Sequence, residues 1–432
     1  MAAELAPAMG FAYPRDARMT APFAEAAFLL FLCLIFVSLQ PFATRDPAQL
    51  ASGESGFPGA GDMLRQFSYL AAFVLILMSA LHAGGTKVLA CLSPTFAALL
   101  GWCVLSATWA AAPDVTFRRA VLEGVVVVSA MMGVAALGPD RSLALLRSTL
   151  GVILVINWFS IALVHNAVHQ PGEIDPQLIG NWRGMFFHKN IAGSVSAITA
   201  ILFFFEAWRT RRLANVFLFL AAVGFTVMTR SKSSLGLLPL ALAAGAIYRV
   251  AWQRGIDRAI VMTTVALAGF LGLVLLAIES GLIAHFLSDP TELTGRTQIW
   301  QGEFAFIRDH LALGSGFGSF ADTGAASPLR NYVAAAWVQN ESHGHNAYLQ
   351  MLVTIGLPGF LLAMLVFVAL PMREFLRFEA NRLDIKAALF AIFVFMILHN
   401  VLESDFLEGD GPAWVAFLLT LGVLRQLRST PA

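Results

Sequence analysis

The chain has 432 residues, of which 58% are hydrophobic and 13% charged, with a mean hydropathy of +0.73; a soluble domain carries about a quarter charged residues. That composition excludes soluble enzymes and DNA-binding proteins, because soluble domains lack the polar cover to hide so many apolar runs. With 28 Lys+Arg against 27 Asp+Glu the net charge is +1, so no overall field attracts nucleic acid or another polyanion, and the position of each charge carries the argument.

Twelve runs are long enough to cross about 30 Å of hydrocarbon: 23–40, 67–83, 88–109, 119–138, 142–165, 190–208, 213–229, 233–250, 259–285, 347–370, 386–402 and 412–425. They predict an all-α polytopic integral membrane protein, a single transmembrane domain over 1–432. A barrel would show alternating segments of about ten residues instead. The first run is not a cleavable signal, since 22 mixed residues precede it and eleven runs follow. Cys33, Cys91 and Cys103 lie in apolar runs without metal spacing and read as small core hydrophobes. A cytoplasmic N-terminus puts 17 of the 28 Lys and Arg on the cytoplasmic side, so the positive-inside rule places both termini there. No internal repeat is evident, which disfavours transporters built from duplicated halves.

The outward connections carry compact polar words. FRRAVLE puts Arg118 and Arg119 at the start of the fourth run, and NWRGMFFHKN carries Arg183, His188, Lys189 and Asn190 ahead of the sixth. TRSKSS sets Arg230 and Lys232 at the end of the seventh. The connection 287–346 is the longest; a long structured loop is usually functional, and this one is expected to form part of the active site. Within it LTGRTQIW holds Arg296, and Ile299, Trp300, Glu303, Phe304, Ile307 and Leu311 predict an amphipathic helix along the interface or a lid on the bundle. GSGFGSF (314–320) lacks the Lys-Ser/Thr of a phosphate-binding loop and is read as a turn-rich connection. ESHGHNAYLQ then places Glu341, His343, His345 and Asn346 at the mouth of the tenth run.

Each word also has a plain structural reading. Arg119 and Glu123 are spaced for a local helical ion pair. Arg230 and Lys232 suit snorkelling to lipid headgroups, and the two histidines suit a satisfied hydrogen-bonding pair. The chemical reading is that converging guanidiniums at an outer interface fit a diphosphate, because Arg offers a planar bidentate fork and keeps its charge. A neutral imidazole beside them accepts the proton of an attacking sugar hydroxyl, while the arginines stabilise the departing diphosphate. No outward carboxylate set calls for a metal, and no cofactor is expected.

In this order the words resemble the superfamily of bacterial O-antigen ligases and O-antigen or exopolysaccharide polymerases, from FRRA to the NVLES of 400–404. The ligase motif of His, then Asn, Ser or Gln, nine residues, Gly, two residues and a small residue is met by His345, Asn346, Gly356 and Gly359. HKN at 188–190 together with NVLES is more similar to exopolysaccharide production and polymerisation proteins than to lipid A-core ligases. The resemblance implies transfer on the periplasmic side of the inner membrane from an undecaprenyl-diphosphate-linked oligosaccharide, without a metal. The acceptor is the glycan of another lipid-linked repeat in a polymerase, or lipid A-core, a glycolipid, in a ligase. It further implies that His345 activates the acceptor and that Arg183 and Arg296 bind the diphosphate. His343, Asn346, His188, Lys189, Asn190, Arg118, Arg119, Arg230, Lys232 and Glu341 are candidate substrate contacts. Membrane lipids and other polysaccharide-export proteins are the remaining expected partners.

Two rivals stay open. A transporter for the same lipid-linked sugars predicts ionisable groups deep in the bilayer, where only Glu123, Glu279, the His399-Asn400 pair and the amide of Asn157 stand. A non-catalytic scaffold in an envelope complex would use the outward words for partner contact alone.

Overall fold

The computed structural model describes residues 21–44, 63–84, 91–171, 178–253, 296–321, 323–339, 344–377 and 382–429. The described residues form no strands, only helices joined mostly by short turns, as hydrocarbon requires when every backbone polar group must be paired within its own segment. The helices are α1 Ala21–Phe36, α2 Met63–Gly84, α3 Pro94–Leu105, α4 Pro113–Leu137, α5 Pro139–Leu163, α6 Lys189–Thr210, α7 Leu213–Thr229, α8 Lys232–Gln253, α9 Arg296–His310, α10 Ala347–Phe375, α11 Leu383–His399 and α12 Pro412–Ser429. Six are long and apolar enough to cross a membrane: α2, α4, α5, α6, α8 and α10. The ninth expected run, 259–285, lies outside the described residues.

Local sequence sets the helix starts. Pro94, Pro113 and Pro139 occupy first-turn positions, where a missing N–H costs nothing. Ser93 caps α3, its Oγ accepting from Phe96 N at 3.1 Å. Arg211 and Arg230 close α6 and α7 in left-handed conformation, at φ 56° and 51°. The core runs through α6, whose Ala192 to Leu202 are buried without interruption, and through an aromatic cluster in which Trp414 and Phe417 of α12 meet Phe367 and Phe406.

The connections gather at two opposite ends. At one end arginines are tied to carboxylates: Arg141 to Glu25 at 2.6 Å, Arg147 to Glu206 at 3.1 Å, Arg249 to Asp384 at 2.5 Å and Arg428 to Glu374 at 3.3 Å. At the other lie all the described polar words singled out above.

Three expectations change. Cys33 is exposed on α1, whereas Cys91 and Cys103 are buried as expected. Arg119 does not pair with Glu123: its Nη1 donates to Gly318 O, and the Glu123 carboxylate accepts from Gly409 N and Trp414 Nε1, both at 2.8 Å. The amphipathic helix α9 exists, but its buried face is Ile299, Gly302, Glu303 and Phe306, with Phe304 and Leu311 exposed.

Candidate functional site

Three of the polar words, HKN, TRSKSS and ESHGHN, meet the NVLES word beside the first residues of α10. His345 sits just before that helix at φ 51°, a left-handed conformation that costs a β-carbon-bearing residue about 1 kcal/mol or more. Asn346 is the N-cap, its Oδ1 accepting from Tyr348 N at 3.0 Å and Leu349 N at 3.1 Å. This turns the side chain of 345 away from the helix and towards the loop after α11. There His345 Nδ1 lies 3.2 Å from Glu403 Oε2. Against an acceptor-only carboxylate, Nδ1 is the donor, which leaves the lone pair on Nε2.

Glu403 is buried and belongs to the NVLES word. Its Oε1 accepts from Asn190 Nδ2 at 2.9 Å and Ser233 Oγ at 3.2 Å. Asn190 is in the first turn of α6, Ser233 in the first turn of α8, and His345 borders the N-terminus of α10. Three helix N-termini therefore face one carboxylate, each adding partial positive charge. The loop is drawn onto α10 by its backbone as well, since Ala347 N donates to Asn400 O at 2.9 Å and Glu403 O at 3.0 Å.

The other candidates fall around this centre in different ways. His188 caps α6, its Nδ1 accepting from Asn190 N at 3.2 Å, while Lys189 N donates to His169 Nε2 at 3.2 Å. The rings of His169 and His188 stand edge to face, 5.6 Å apart. Arg183 is 1% exposed and does not open onto solvent. Its Nε donates to Asn166 O at 2.7 Å and its Nη1 to Ala43 O and Phe187 O at 2.8 and 3.0 Å, so it staples three outer segments together. Arg118 pairs with Asp114 at 3.2 Å on the surface. Arg230 and Lys232 are exposed, while Ser231, Ser233 and Ser234 between and beside them turn inward. Arg296 is the first residue of α9; its side chain, His343 and Glu341 lie outside the described residues.

Glu403 and Ser233 were missed as site residues. NVLES was already a recognisable word, and the inward face of TRSKSS is the one alternating with the exposed cations. Both signals were present without a spacing rule to connect them, because Glu403 is 58 residues from His345 and 170 from Ser233.

Behind His345, Trp300 Nε1 of α9 donates to Gly344 O at 2.7 Å. Glu303 is fully buried one turn on, and a β-carbon at residue 344 would collide with its Oε1. Its carboxyl oxygens meet no hydrogen-bond donor among the described residues, and burial pushes its pKa up to about 8.

The glycines of the His345 motif shape α10 itself. Gly356 stands at φ 65° inside the helix, and a β-carbon there would lie 2.5 Å from Ala312 O. The carbonyls released by the break are taken by outside donors: Val353 O by Ser315 N, Thr354 O by Gly316 N, and Ile355 O by Trp102 Nε1. GSGFGSF is therefore the strap across the break, and its Gly314, Gly316 and Gly318 all have positive φ. Gly359 lets the Trp102 ring approach to 2.7 Å from where a β-carbon would be.

The chain is thus an all-helical multi-pass membrane protein with an imidazole–carboxylate pair at one end of its bundle. Residues 216–364 match the family model described as O-Antigen ligase, a stretch from within α7 to within α10 that includes Ser233, Arg296 and His345. That match supports membership of the O-antigen ligase and polymerase superfamily. No curated protein matches the chain.

Proposed function

We propose that this protein joins undecaprenyl-diphosphate-linked oligosaccharide repeats into a polymer at the periplasmic face of the inner membrane. The observation that carries this reading is the His345–Glu403 pair, held by Asn190 of HKN and completed by Glu403 of NVLES. These are the two words that resemble exopolysaccharide polymerases, and they meet in one hydrogen-bonded cluster.

In the proposed reaction, His345 Nε2 takes the proton of the acceptor hydroxyl as its oxygen bonds to the anomeric carbon. The bond from that carbon to the diphosphate oxygen breaks, and the electron pair leaves with the diphosphate. Glu403 fixes the imidazole tautomer, its Oε2 accepting from Nδ1–H so that Nε2 carries the lone pair. Arg296, at the positive N-terminal end of α9, takes the charge growing on the diphosphate. Arg183 contributes to the diphosphate site by bracing the segments around it. Connection 287–346 covers the site, and residues 1–432 act as one domain. HKN, TRSKSS, ESHGHN and NVLES gather at one end of the bundle, and Glu123 is tied to Trp414 and Gly409, which favours chemistry at a face over passage through the bilayer.

Replacing His345 or Arg296 with Ala should abolish polymer at unchanged membrane abundance; normal chain lengths in either variant would sink the assignment. Reconstitution with a defined undecaprenyl-diphosphate-linked oligosaccharide fixes the acceptor. A longer lipid-linked glycan supports polymerisation. Transfer to added lipid A-core establishes the ligase reading, and translocation without a new glycosidic bond establishes a transporter.

A further inference from the structure

A second imidazole–carboxylate pair lies beside the first. His399, the last residue of α11, is 1% exposed and stacks on Phe395 at 5.0 Å. Its Nδ1 stands 2.7 Å from Asp405 Oδ2, and its Nε2 stands 3.1 Å from Ser234 Oγ. Ser234 Oγ is 3.1 Å from Ser231 Oγ, which is 3.4 Å from Ser233 Oγ, and Ser233 donates to Glu403. Gly193 of α6 makes room for this line, since a β-carbon there would lie 2.6 Å from Ser231 Cβ and 3.0 Å from Ser234 Oγ. The three serines are buried, whereas the side chains at the two ends, His345 and Asp405, are 20% and 19% exposed.

We propose that His399 and Asp405, linked through Ser234, Ser231 and Ser233 to Glu403, form a relay that carries away the proton His345 takes from the acceptor hydroxyl. This rests on the transferase reading above. Packing alone does not call for an imidazole and a carboxylate at the far end of a buried hydroxyl line, because each buried polar group costs free energy unless satisfied. Hydroxyls are the side chains that donate and accept at once. At rest Ser233 donates to the Glu403 carboxylate. When His345 passes its Nδ1 proton to Glu403 Oε2, the carboxyl turns about its last bond to present that O–H to Ser233, whose own proton turns to Ser231. Ser231 donates to Ser234, Ser234 to His399 Nε2, and His399 gives its Nδ1 proton to Asp405, which releases it to water. One proton enters at His345 and one leaves at Asp405. Each serine exchanges one O–H bond for another, His345 and His399 end with their proton on Nε2 in place of Nδ1, and both return to the Nδ1–H tautomer before the next turnover. His399 acts through Glu403 and is a positioning and relay residue; it does not touch the reacting atoms.

The test uses the full chain in proteoliposomes with an undecaprenyl-diphosphate-linked oligosaccharide, comparing wild type with His399→Gln, Ser234→Ala and Asp405→Asn. Each variant should lower kcat about tenfold or more, keep the donor KM within about twofold and enlarge the solvent deuterium isotope effect on kcat, because proton departure becomes slow. Wild-type kcat in Ser234→Ala and His399→Gln, or a reduced kcat with an unaltered isotope effect, would overturn the relay. If His399→Gln does not fold, Ser234→Ala decides alone, since it removes a single oxygen. His345→Ala in parallel separates the two claims: inactive His345→Ala beside fully active relay variants refutes only the relay, whereas active His345→Ala refutes the transferase reading itself.

Discussion

In the proposed reaction His345, half-buried, is the base and Glu403, buried, is its anchor. Glu403→Gln keeps the shape but puts an amide where a carboxylate received Nδ1–H, so the tautomer with the lone pair on Nε2 loses its support. Polymerisation should fall about 100-fold with unchanged protein abundance, measured as glycan length per mole of enzyme. Glu303 predicts a pH effect on stability. Its folded-state pKa is raised from the ordinary 4.5 to about 8, so the neutral buried carboxyl contributes fully below about pH 4.5, and that contribution is lost progressively as pH rises through 8. Glu303→Gln should flatten the fall in thermal midpoint between these limits and stabilise the protein at the alkaline end. An unchanged slope would mean that Glu303 is ionised in the folded protein.

At the scale of the element, α10 is built around its break. Gly356→Ala meets both the left-handed backbone and the carbonyl of Ala312, and should cost roughly 2 kcal/mol or more, read as a lower unfolding midpoint in detergent. The glycine was legible as part of a motif; its reason was not, because the strap it accommodates comes from residues 311–316. The phase of α9 was misread for a related cause. A count of apolar side chains favours Phe304 and Leu311 and gives no weight to Gly302, yet that glycine is buried beneath Val333, whose Cγ1 would lie 2.5 Å from a β-carbon. Contact by the smallest residue leaves no hydrophobic signal.

Over the whole molecule, the helices were legible because runs of about twenty apolar residues have few alternatives. The candidate site's words were visible in the sequence but their wiring was not: Asn190 and Glu403 are 213 residues apart, and only the packing of α6, α8, α10 and α11 brings them together. The two-ended sorting of charges makes a topological prediction. In a chain with Cys33, Cys91 and Cys103 replaced by Ala, Lys232→Cys should react with an impermeant maleimide applied from the periplasmic side. Arg212→Cys should react only after the inner membrane is opened. The reverse pattern would invert the orientation.

The interruption at Gly356 also has a mechanical consequence. A rod with an unbroken hydrogen-bond ladder transmits tilt along its length, but here the upper turns of α10 are fastened to Ser315, Gly316 and Trp102. When bilayer thickness or curvature rocks the lower portion, Pro358 and the π-turn at Leu365–Ala369 lie on the yielding side of that fastening. The turn that carries His345 lies on the fastened side of the break, apart from the part of the helix that yields.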